Sequence, residues 1–258
     1  MGVVNVTPDS FSDGGRFLDA DAAVAQGQRL AGEGADLLDV GGESTRPGAD
    51  PVPADEERRR VVPVIERLAT TGAQLSVDTS KASVAQATLD AGATFVNDVT
   101  ALRADPELAA VVAQAGCDCC LMHMLGDPRT MQEDPRYDDV VSDVKAFLEE
   151  RIAFATRQGI AEERILVDPG IGFGKTLEHN LILLRRLDEI AALGRPVVVG
   201  TSRKSFLGKL TGAEVDDRLP GTIATNVLAL ERGATVFRVH DVAPVRDALK
   251  VAAATVAA

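Results

Sequence analysis

Short apolar runs alternate with amphipathic stretches along the whole chain, and this alternation constrains the fold more than any other feature of the sequence. The runs are rich in β-branched residues and are bounded by Gly, Pro or acidic residues, which is typical of buried parallel strands. The eight runs lie at 2–6, 36–40, 74–78, 94–98, 117–122, 164–168, 196–200 and 235–239. The sequence therefore predicts a sheet of parallel strands.

The stretches between the runs place apolar residues at helical spacing and predict helices. They lie at roughly 19–33, 54–71, 81–91, 106–114, 138–158, 178–192, 203–232 in two pieces, and 242–256. We expect Asp19, Asp55 and Ser80 to act as N-caps, because their side chains can accept the free amides of a first helical turn. Gly116 and Gly233 are among the glycines that we expect to end helices before the next strand.

The repetition of strand and helix also predicts how the chain closes. Eight such units in 258 residues fit a closed barrel better than an open doubly wound sheet. No linker rich in Pro, Gly or Ser divides the chain. We therefore predict an α/β protein with a single domain over residues 1–258, a (β/α)8 TIM barrel. Its active site is expected at the C-terminal ends of the strands.

The acidic character of the chain argues against a protein that binds nucleic acid. Its net charge is −12 and aromatic residues make up only 3%, whereas phosphate backbones are bound by clustered Lys and Arg. The densest basic cluster is 58–60, and it follows the acidic residues 55–57 at helical spacing. We expect these six residues to form an exposed helix face with ion pairs.

Hydropathy and cysteine usage predict a soluble cytoplasmic protein that does not enter membranes. No apolar run approaches the roughly 18 residues of a membrane helix, and no basic stretch followed by an apolar one begins the chain. Cys117, Cys119 and Cys120 crowd into one predicted strand, which is not a disulfide framework. A metal or redox site is the alternative, but buried reduced thiols suit this apolar strand better.

Polar or ionisable side chains end nearly every predicted strand. One such residue is often only a turn former or a helix cap, but so many at one edge of a sheet predict a binding site. They are Asn5, Asp39, Asp78, Asn97, Asp98, His123, Asp168, Lys204, Arg238 and His240.

These side chains suggest a pocket with two chemically different halves. Partly buried carboxylates and amides need donors, and a flat heterocycle with adjacent N–H and amino groups supplies them. The basic side chains among the strand-end residues can bind an anion beside that ring. The acceptors are Asp78, Asn97 and Asp168, and the donors are Lys204, Arg238 and His240.

Two glycine-containing segments could approach a phosphate. Residues 170–176 resemble a P-loop, but Pro169 stands where the pattern requires its first glycine. We therefore expect a glycine-lined turn that brings Phe173 close to a ligand. Residues 200–205 are the better anion site, because their amides would open a helix whose positive end favours phosphate. A basic helix cap without a ligand is the alternative.

The histidines carry different expectations. His179 stands at a helix start and is expected to be structural or exposed. His123 follows the fifth strand and could line the pocket or support it from behind. Arg238 and His240 are two residues apart, so they share one face of a strand end and are expected together in the pocket.

Longer motifs at these positions resemble one known family. The first is the polar, turn-rich run Asn-Val-Thr-Pro-Asp-Ser-Phe-Ser-Asp-Gly-Gly at 5–15, directly after the first strand. The others lie at 41–48, 76–79, 97–99, 121–124, 168–175, 202–206 and 238–242. Together they span almost the whole chain and are similar to those of the dihydropteroate synthases, folate-pathway enzymes inhibited by sulfonamides.

The resemblance implies a reaction and two groups of site residues. Family members join 6-hydroxymethyl-7,8-dihydropterin pyrophosphate to p-aminobenzoate, which releases pyrophosphate and forms 7,8-dihydropteroate. The implied pterin-binding residues are Asp78, Asn97, Met122, Asp168, Phe173, Gly200 and Lys204. The implied pyrophosphate-binding residues are Asn5, Ser202, Arg238 and His240, with Mg2+ as the cofactor and Asn5 as its ligand.

The resemblance also implies an amine site and a mechanism. The implied p-aminobenzoate-binding residues are Phe11, Thr45, Arg46, Pro47, Lys204 and Ser205. Asp9, Ser10 and Asp13 would belong to a first loop that closes over the site. The implied catalytic residues are Asp168, Lys204, Arg238 and His240. Pyrophosphate would leave first and the amine would then add to a pterin cation, and the enzyme would be a homodimer.

Two other functions fit parts of the pattern. A pterin-binding methyltransferase that passes a methyl group to a corrinoid is similar in fold but needs no grip on pyrophosphate, which Arg238 and His240 suggest. A catalytically silent pterin-binding paralogue should have lost loop residues, and none is visibly lost. Family members usually carry residues before the strand that leads into the first motif, whereas this sequence begins there. We expect any consequence for stability rather than for chemistry.

Overall fold

The computed structural model describes residues 1–6, 16–45 and 48–256, with the backbone alone for 16–19. Across these ranges, eight parallel strands form one sheet in chain order. They are β1 Gly2–Asn5, β2 Leu37–Gly41, β3 Gln74–Asp78, β4 Phe95–Asp98, β5 Asp118–Met122, β6 Ile165–Asp168, β7 Val197–Val199 and β8 Ala234–Phe237. Each lies within one or two residues of a predicted strand, so the periodicity argument is confirmed.

Strand register brings the predicted site residues to one edge of the sheet. Asp78 pairs with Asn97 across β3 and β4, and Met122 pairs with Asp168 across β5 and β6. Because all the strands run in the same direction, their carboxyl ends meet at that edge.

The two ends of the sheet approach each other. Gly2 forms a parallel bridge with Val239, which follows β8. The Val3 amide donates to the Val239 carbonyl at 3.0 Å, and the Val239 amide donates to the Met1 carbonyl at 2.9 Å. The sheet is therefore strongly curled.

Helices connect consecutive strands on the described part of the chain. They are α1 Arg16–Gly32, α2 Ala54–Leu68, α3 Ala82–Asp90, α4 Leu108–Ala115, α5 Val140–Arg157, α6 Leu177–Arg185, α7 Leu187–Ala191, α8 Ser205–Thr211, α9 Leu219–Glu231 and α10 Val242–Val256. None of these helices is long and apolar enough to cross a membrane.

One predicted helix, 178–192, is divided into α6 and α7 at Arg186. The backbone of Arg186 leaves helical geometry with φ −110° and ψ 30°. Its guanidinium bonds Asp139 at the start of α5 at 2.8 Å and Glu189 in α7 at 2.6 Å. Ion pairs to two other segments therefore accompany the break.

The expected N-caps are wrong at all three positions. Asp19 lies within α1, and Asp55 lies in the first turn of α2, which begins after Pro53. Helix α3 begins after Lys81 rather than Ser80. The Asp105 carboxylate accepts the Ala82 amide at 2.8 Å, so a distant side chain caps this helix.

The core divides at the sheet into an outer layer and a small inner cluster. Leu37, Phe95, Cys120 and Val198 form that cluster. Each stands two residues before the strand-end positions 39, 97, 122 and 200, so strand geometry points it to the same face as the site. These four side chains therefore pack together on the face of the sheet that the strand-end residues share.

The cysteines are buried and unpaired, as expected. Cys117, Cys119 and Cys120 are free thiols. Burial raises the pKa of Cys117 to about 11 and that of Cys120 well above its ordinary value. These thiols therefore stay protonated and unreactive near neutral pH.

Candidate active site

At the edge of the sheet where the strands end, one arginine side chain is bonded to two acidic side chains. Arg238 follows β8, and its Nε donates to Asp39 Oδ2 at 2.6 Å while its Nη2 donates to Asp78 Oδ2 at 2.8 Å. Asp39 is completely buried and Asp78 is 9% exposed. The structure thus brings Asp78 and Arg238 together, as predicted, and adds Asp39 between them.

Asp39 is the site residue that sequence analysis noted but did not assign. It accepts hydrogen bonds from Ser76 Oγ at 2.6 Å and from Asn97 Nδ2 at 3.0 Å. Four side chains from three strands and the end of β8 therefore share one carboxylate network. Its position at a strand end was visible in the sequence, but its partners were not.

Burial raises the pKa of two acids at this edge, Asp78 and Asp168. It raises the pKa of Asp78 to about 7, although Arg238 opposes the change. Burial also raises the pKa of Asp168, against the charge of Lys204 and the Gly170 amide. A ligand that donates hydrogen bonds to both carboxyls would therefore stabilise their charged forms.

Asp168 and Lys204 stand on either side of the loop after β6. Asp168 Oδ1 accepts the Gly170 amide at 2.7 Å. The Lys204 ammonium donates to the Ile171 carbonyl and lies 4.6 Å from the centre of the Phe173 ring. Burial lowers the pKa of Lys204 to about 8, although Asp168 opposes the change.

The glycine-rich segment is a turn, as expected, and not a P-loop. It precedes α6, which starts at Leu177 after the cap Thr176. Gly170 has φ 68°, and a Cβ built there would lie 1.9 Å from the His123 carbonyl oxygen. Only glycine fits such a backbone approach.

Lys175 and His123 support this turn from below, and Lys175 had no assigned role. Lys175 Nζ lies 2.9 Å from His123 Nδ1 and donates to the Phe173 carbonyl at 2.9 Å. Burial, followed by the charge of Lys175, lowers the pKa of His123 far below its ordinary value. A neutral His123 therefore accepts from the lysine, and of the two expected positions for His123 the structure selects the supporting one.

Apolar side chains form one wall of the site. Val99, Met122, Met124 and Met131 are buried together, and Phe173 packs against them. Met122 and Phe173 are thus neighbours, as the predicted pterin site requires. Sulfur and aromatic surfaces of this kind suit a flat ring.

Asp98 shapes the loop after β4 rather than the pocket. Its carboxylate accepts the amides of Thr100 at 2.8 Å and Leu102 at 2.6 Å. Ala101 and Leu102 adopt left-handed backbone angles, φ 54° and 61°. Arg151 of α5 donates to both of their carbonyls. A strained turn is therefore held beside Asn97.

The loops after β7 and β8 are joined at two points. Ser202 Oγ lies 3.0 Å from His240 Nδ1 and accepts the His240 amide at 3.2 Å. Arg203 has φ 59° and bonds Asp241 at 2.7 Å. The predicted pairing of Ser202 with His240 in one region is therefore present, and Arg203 is an additional support.

Asn5, Gly200 and Ser205 are further predicted site residues that the structure describes. Asn5 ends β1 opposite Gly41 of β2. A Cβ on Gly200 would lie 3.8 Å from Arg238 Cβ and 4.0 Å from Lys204 Nζ. Ser205 is exposed at the start of α8. Phe11, Arg46 and Pro47, and Asp9, Ser10 and Asp13 of the first loop, lie outside the described residues.

A cavity of about 330 Å³ opens beside Asp78. Its wall includes Thr45 and Glu43 from the loop after β2, Glu57 from α2 and Met124 after β5. The predicted amine-site residue Thr45 and the predicted ring-site residue Asp78 therefore line one continuous space.

His179 has a structural role, which is one of the two outcomes that we expected for it. Thr176 Oγ1 accepts the His179 amide at 3.1 Å, and the Thr176 amide donates to His179 Nδ1 at 3.3 Å. The His179 ring also packs edge-on against Tyr137. This reciprocal cap begins α6.

Comparison with known proteins gives matches over most of the chain. Residues 1–240 match the family of pterin binding enzymes. The chain is 46% identical to the dihydropteroate synthase of Escherichia coli, over all of this chain and 92% of that protein. It is 49% identical to a probable bifunctional folylpolyglutamate synthase/dihydropteroate synthase of Haloferax volcanii, over 99% of this chain but only 30% of that protein.

A solved structure is similar over the same length. The dihydropteroate synthase of Xanthomonas albilineans, solved with 4-aminobenzoic acid, is 53% identical and superposes with a TM-score of 0.94. The match covers all of this chain and 93% of that one.

Proposed function

The chain belongs to the pterin-binding enzymes and, among them, to the dihydropteroate synthase family, and we propose on this premise that it joins a pterin pyrophosphate to p-aminobenzoate. The products would be 7,8-dihydropteroate and pyrophosphate. One observation carries the proposal: the buried acids Asp78 and Asp168 stand with cationic side chains at one edge of the sheet. That arrangement suits a ring with hydrogen-bond donors and an anion beside it.

The pterin ring would be bound by Asp78, Asn97 and Asp168. Hydrogen bonds to charged groups contribute roughly 1.5–3 kcal/mol each, and both buried acids can accept more hydrogen bonds than they now have. Met122 and Phe173 would pack against the flat faces of the ring. The small Gly200 would leave room between the ring and the Arg238 and Lys204 side chains.

Pyrophosphate would be bound by Ser202, His240 and Arg238. Two of the five N–H donors of Arg238 already bond Asp39 and Asp78, so the others can serve the anion. The Ser202 bond to His240 holds these two side chains next to each other.

Mg2+ fits this site as an ion held mainly by the substrate. It prefers oxygen ligands and commonly takes one or two from protein, with phosphate oxygens and water completing the shell. Asn5 offers an amide oxygen at the end of β1. Among the described residues, no three His, Cys, Asp or Glu side chains are grouped to hold a metal. When bound, Mg2+ would neutralise charge on the leaving pyrophosphate.

We further propose a dissociative reaction. Asp168, held by the Gly170 amide, would stabilise the pterin cation, while Arg238 and His240 stabilise the departing anion. Lys204, with a pKa of about 8, could hold or release a proton at Nζ beside the reacting amine. No step requires a covalent bond to the protein.

The amine would approach from the rim of the site. Thr45 lines the cavity beside Asp78, and Ser205 is exposed near Lys204. We place p-aminobenzoate between these groups. Phe11, Arg46 and Pro47 stay predicted members of this subsite.

The architecture that we propose is a single-domain closed (β/α)8 barrel with its active site at the strand ends. The bridge between Gly2 and Val239 supports closure. We also propose that the enzyme is cytoplasmic and homodimeric. A corrinoid methyltransferase is less well supported, because the Ser202, Arg238 and His240 group has no anion to bind in that reaction.

The proposal is tested by measuring pyrophosphate release. Purified protein with Mg2+ and the pterin pyrophosphate should release pyrophosphate only when p-aminobenzoate is added, because the amine completes the reaction. Release that does not depend on the amine, or no release at all, would show that the assignment is wrong.

A further inference from the structure

We propose that Lys81 positions the segment after β2, described at residues 43–45 and 48–52 and here called loop two, for the amine substrate. Lys81 does so by joining Glu43, the second residue after β2, to the buried Glu57 of α2. It is a positioning residue and does not contact substrate. The inference rests on the proposed function, because Thr45 of loop two is assigned there to the p-aminobenzoate site.

One ammonium group connects three segments of the chain. Lys81 Nζ donates to Glu43 Oε2 and to Glu57 Oε2. Lys81 directly precedes α3, Glu57 belongs to α2, and Glu43 begins loop two. The side chain of Glu57 is 0% exposed, whereas those of Lys81 and Glu43 are 24% and 23% exposed. Glu57 is therefore the fixed end of the cluster.

Glu43 also connects the two ends of loop two. Its Oε1 accepts the Val52 amide at 3.3 Å, while its Oε2 bonds Lys81. Arg60 of α2 donates to the carbonyl of Gly42, just before the loop, at 2.9 Å. Glu43 thus joins the two ends of loop two, and this junction is here called the neck of the loop. Lys81 bonds Glu43 to Glu57 of α2.

Lys81 is the critical residue of this cluster because its positive charge lies between two carboxylates. Two carboxylates share one cation, and burial raises the pKa of Glu57 while Lys81 lowers it. Without Lys81, the carboxylates of Glu43 and Glu57 would repel each other, and the Glu57 side chain is buried. Removing one partner of a buried pair leaves an uncompensated charge. Glu43 would then move away and open the neck.

The effect would reach the substrate site through a short path. Glu43, Glu57, Thr45 and Asp78 line the same cavity of about 330 Å³. Thr45 is two residues from Glu43, whereas Asp78 belongs to β3. Opening the neck should therefore disturb the amine side of the cavity and leave the ring side in place.

Steady-state kinetics with each substrate varied in turn test this inference. In Lys81→Met, we expect KM for p-aminobenzoate to rise about tenfold or more, since small misplacements of positioning groups have effects of this size. KM for the pterin pyrophosphate should stay within about twofold, because the Lys81 ammonium bonds Glu43 and Glu57 and not the proposed pterin-binding side chains. Lys81→Arg keeps the charge and should restore most of the affinity.

Matched variants separate positioning from general damage. Arg59→Met breaks the exposed Arg59–Glu56 pair on α2, the helix that also carries Glu57. This change should alter neither KM. Glu43→Gln keeps an oxygen for the Val52 amide but loses the ionic bond to Lys81, so its KM for p-aminobenzoate should lie between those of wild type and Lys81→Met. Calorimetric binding of the pterin pyrophosphate with Mg2+ verifies that each variant is folded.

Each outcome has one meaning. If wild type shows no amine-dependent release of pyrophosphate, the proposed function fails. If wild type is active but Lys81→Met leaves both KM values unchanged, or raises both equally, the positioning role of Lys81 is wrong. A Lys81→Met protein that no longer binds the pterin pyrophosphate would also contradict it.

Discussion

At the level of single residues, the site depends on contacts between positions far apart in the chain. Arg238 and Asp39 are 199 positions apart and 2.6 Å from each other. Asp39 holds Ser76 and Asn97 as well, so it orders residues that would contact the ring. Asp168 differs from Asp39, because its carboxylate accepts a hydrogen bond from a nearby backbone amide, that of Gly170. Its carboxylate can therefore accept further hydrogen bonds from a bound ligand.

Replacing Asp168 with Asn tests its role in the reaction. The amide keeps the shape but loses the charge that would stabilise a pterin cation, so we expect turnover to fall by about 100-fold or more. The fold should persist, because burial already disfavours the charged carboxyl. Initial rates and thermal unfolding followed by circular dichroism measure the two effects.

Asp216→Asn is the matched control for this prediction. Asp216 is 83% exposed and pairs with Arg203 near the same strand ends, so its loss should leave turnover unchanged. Unchanged turnover in Asp168→Asn would remove Asp168 from the reacting centre.

At the level of elements, the loops after the strands are held by supports that lie behind them. Lys175 and His123 hold the turn after β6. Asp98 and Arg151 hold the turn after β4. Arg203 and Asp241 join the loops after β7 and β8. Each turn therefore gains at least one bond from another segment, namely His123 after β5, Arg151 of α5 or Asp241 after β8.

Gly170→Ala tests the close approach of the turn after β6 to the loop after β5. The added Cβ would lie 1.9 Å from the His123 carbonyl oxygen, at a φ of 68°. We expect the free energy of unfolding to fall by about 3 kcal/mol or more, since both overpacking and backbone strain act there. Urea unfolding measures the change.

Gly212→Ala separates these two causes. Gly212 has φ 74°, but nothing lies within 4 Å of its added Cβ. Only the backbone strain applies, so we expect a loss of about 1–2 kcal/mol. Equal losses at both positions would mean that the contact with His123 contributes nothing.

At the level of the whole molecule, several helices outside the curled sheet carry exposed apolar side chains. Leu181 of α6, Leu210 of α8 and Leu228 of α9 are 39%, 51% and 44% exposed. These three helices pack against one another. Exposed apolar residues on adjacent helices make this face the one on which we test protein contacts.

The predicted homodimer can be tested on that face. Light scattering after size-exclusion chromatography should give twice the mass of the chain for wild type. Leu228→Glu should shift the protein toward a monomer, because a buried charge opposes association. Val251→Glu changes a residue of α10 that is 69% exposed and should leave the dimer intact. A monomeric wild type would contradict the prediction.

The sequence alone determined most of the strands and helices and the sheet edge at which the predicted site residues meet. Periodicity is a local property, so the strand ends at Asp78, Asn97 and Asp168 followed from it. The same holds for the glycine turn after β6, since Pro169 rules out a P-loop in the sequence itself. Parallel strands then bring their ends together whatever the details of packing.

Tertiary structure decided which side chains meet. The acidic residues 55–57 were expected to be exposed, and Asp55 and Glu56 do pair with nearby arginines. Glu57 was wrongly placed in that group: it is buried in phase with Val61 and bonds Lys81. Partners such as Lys81 for Glu57, or Asp39 for Arg238, depend on how helices and strands pack across long sequence separations. No local pattern specifies that packing, so only the folded molecule shows them.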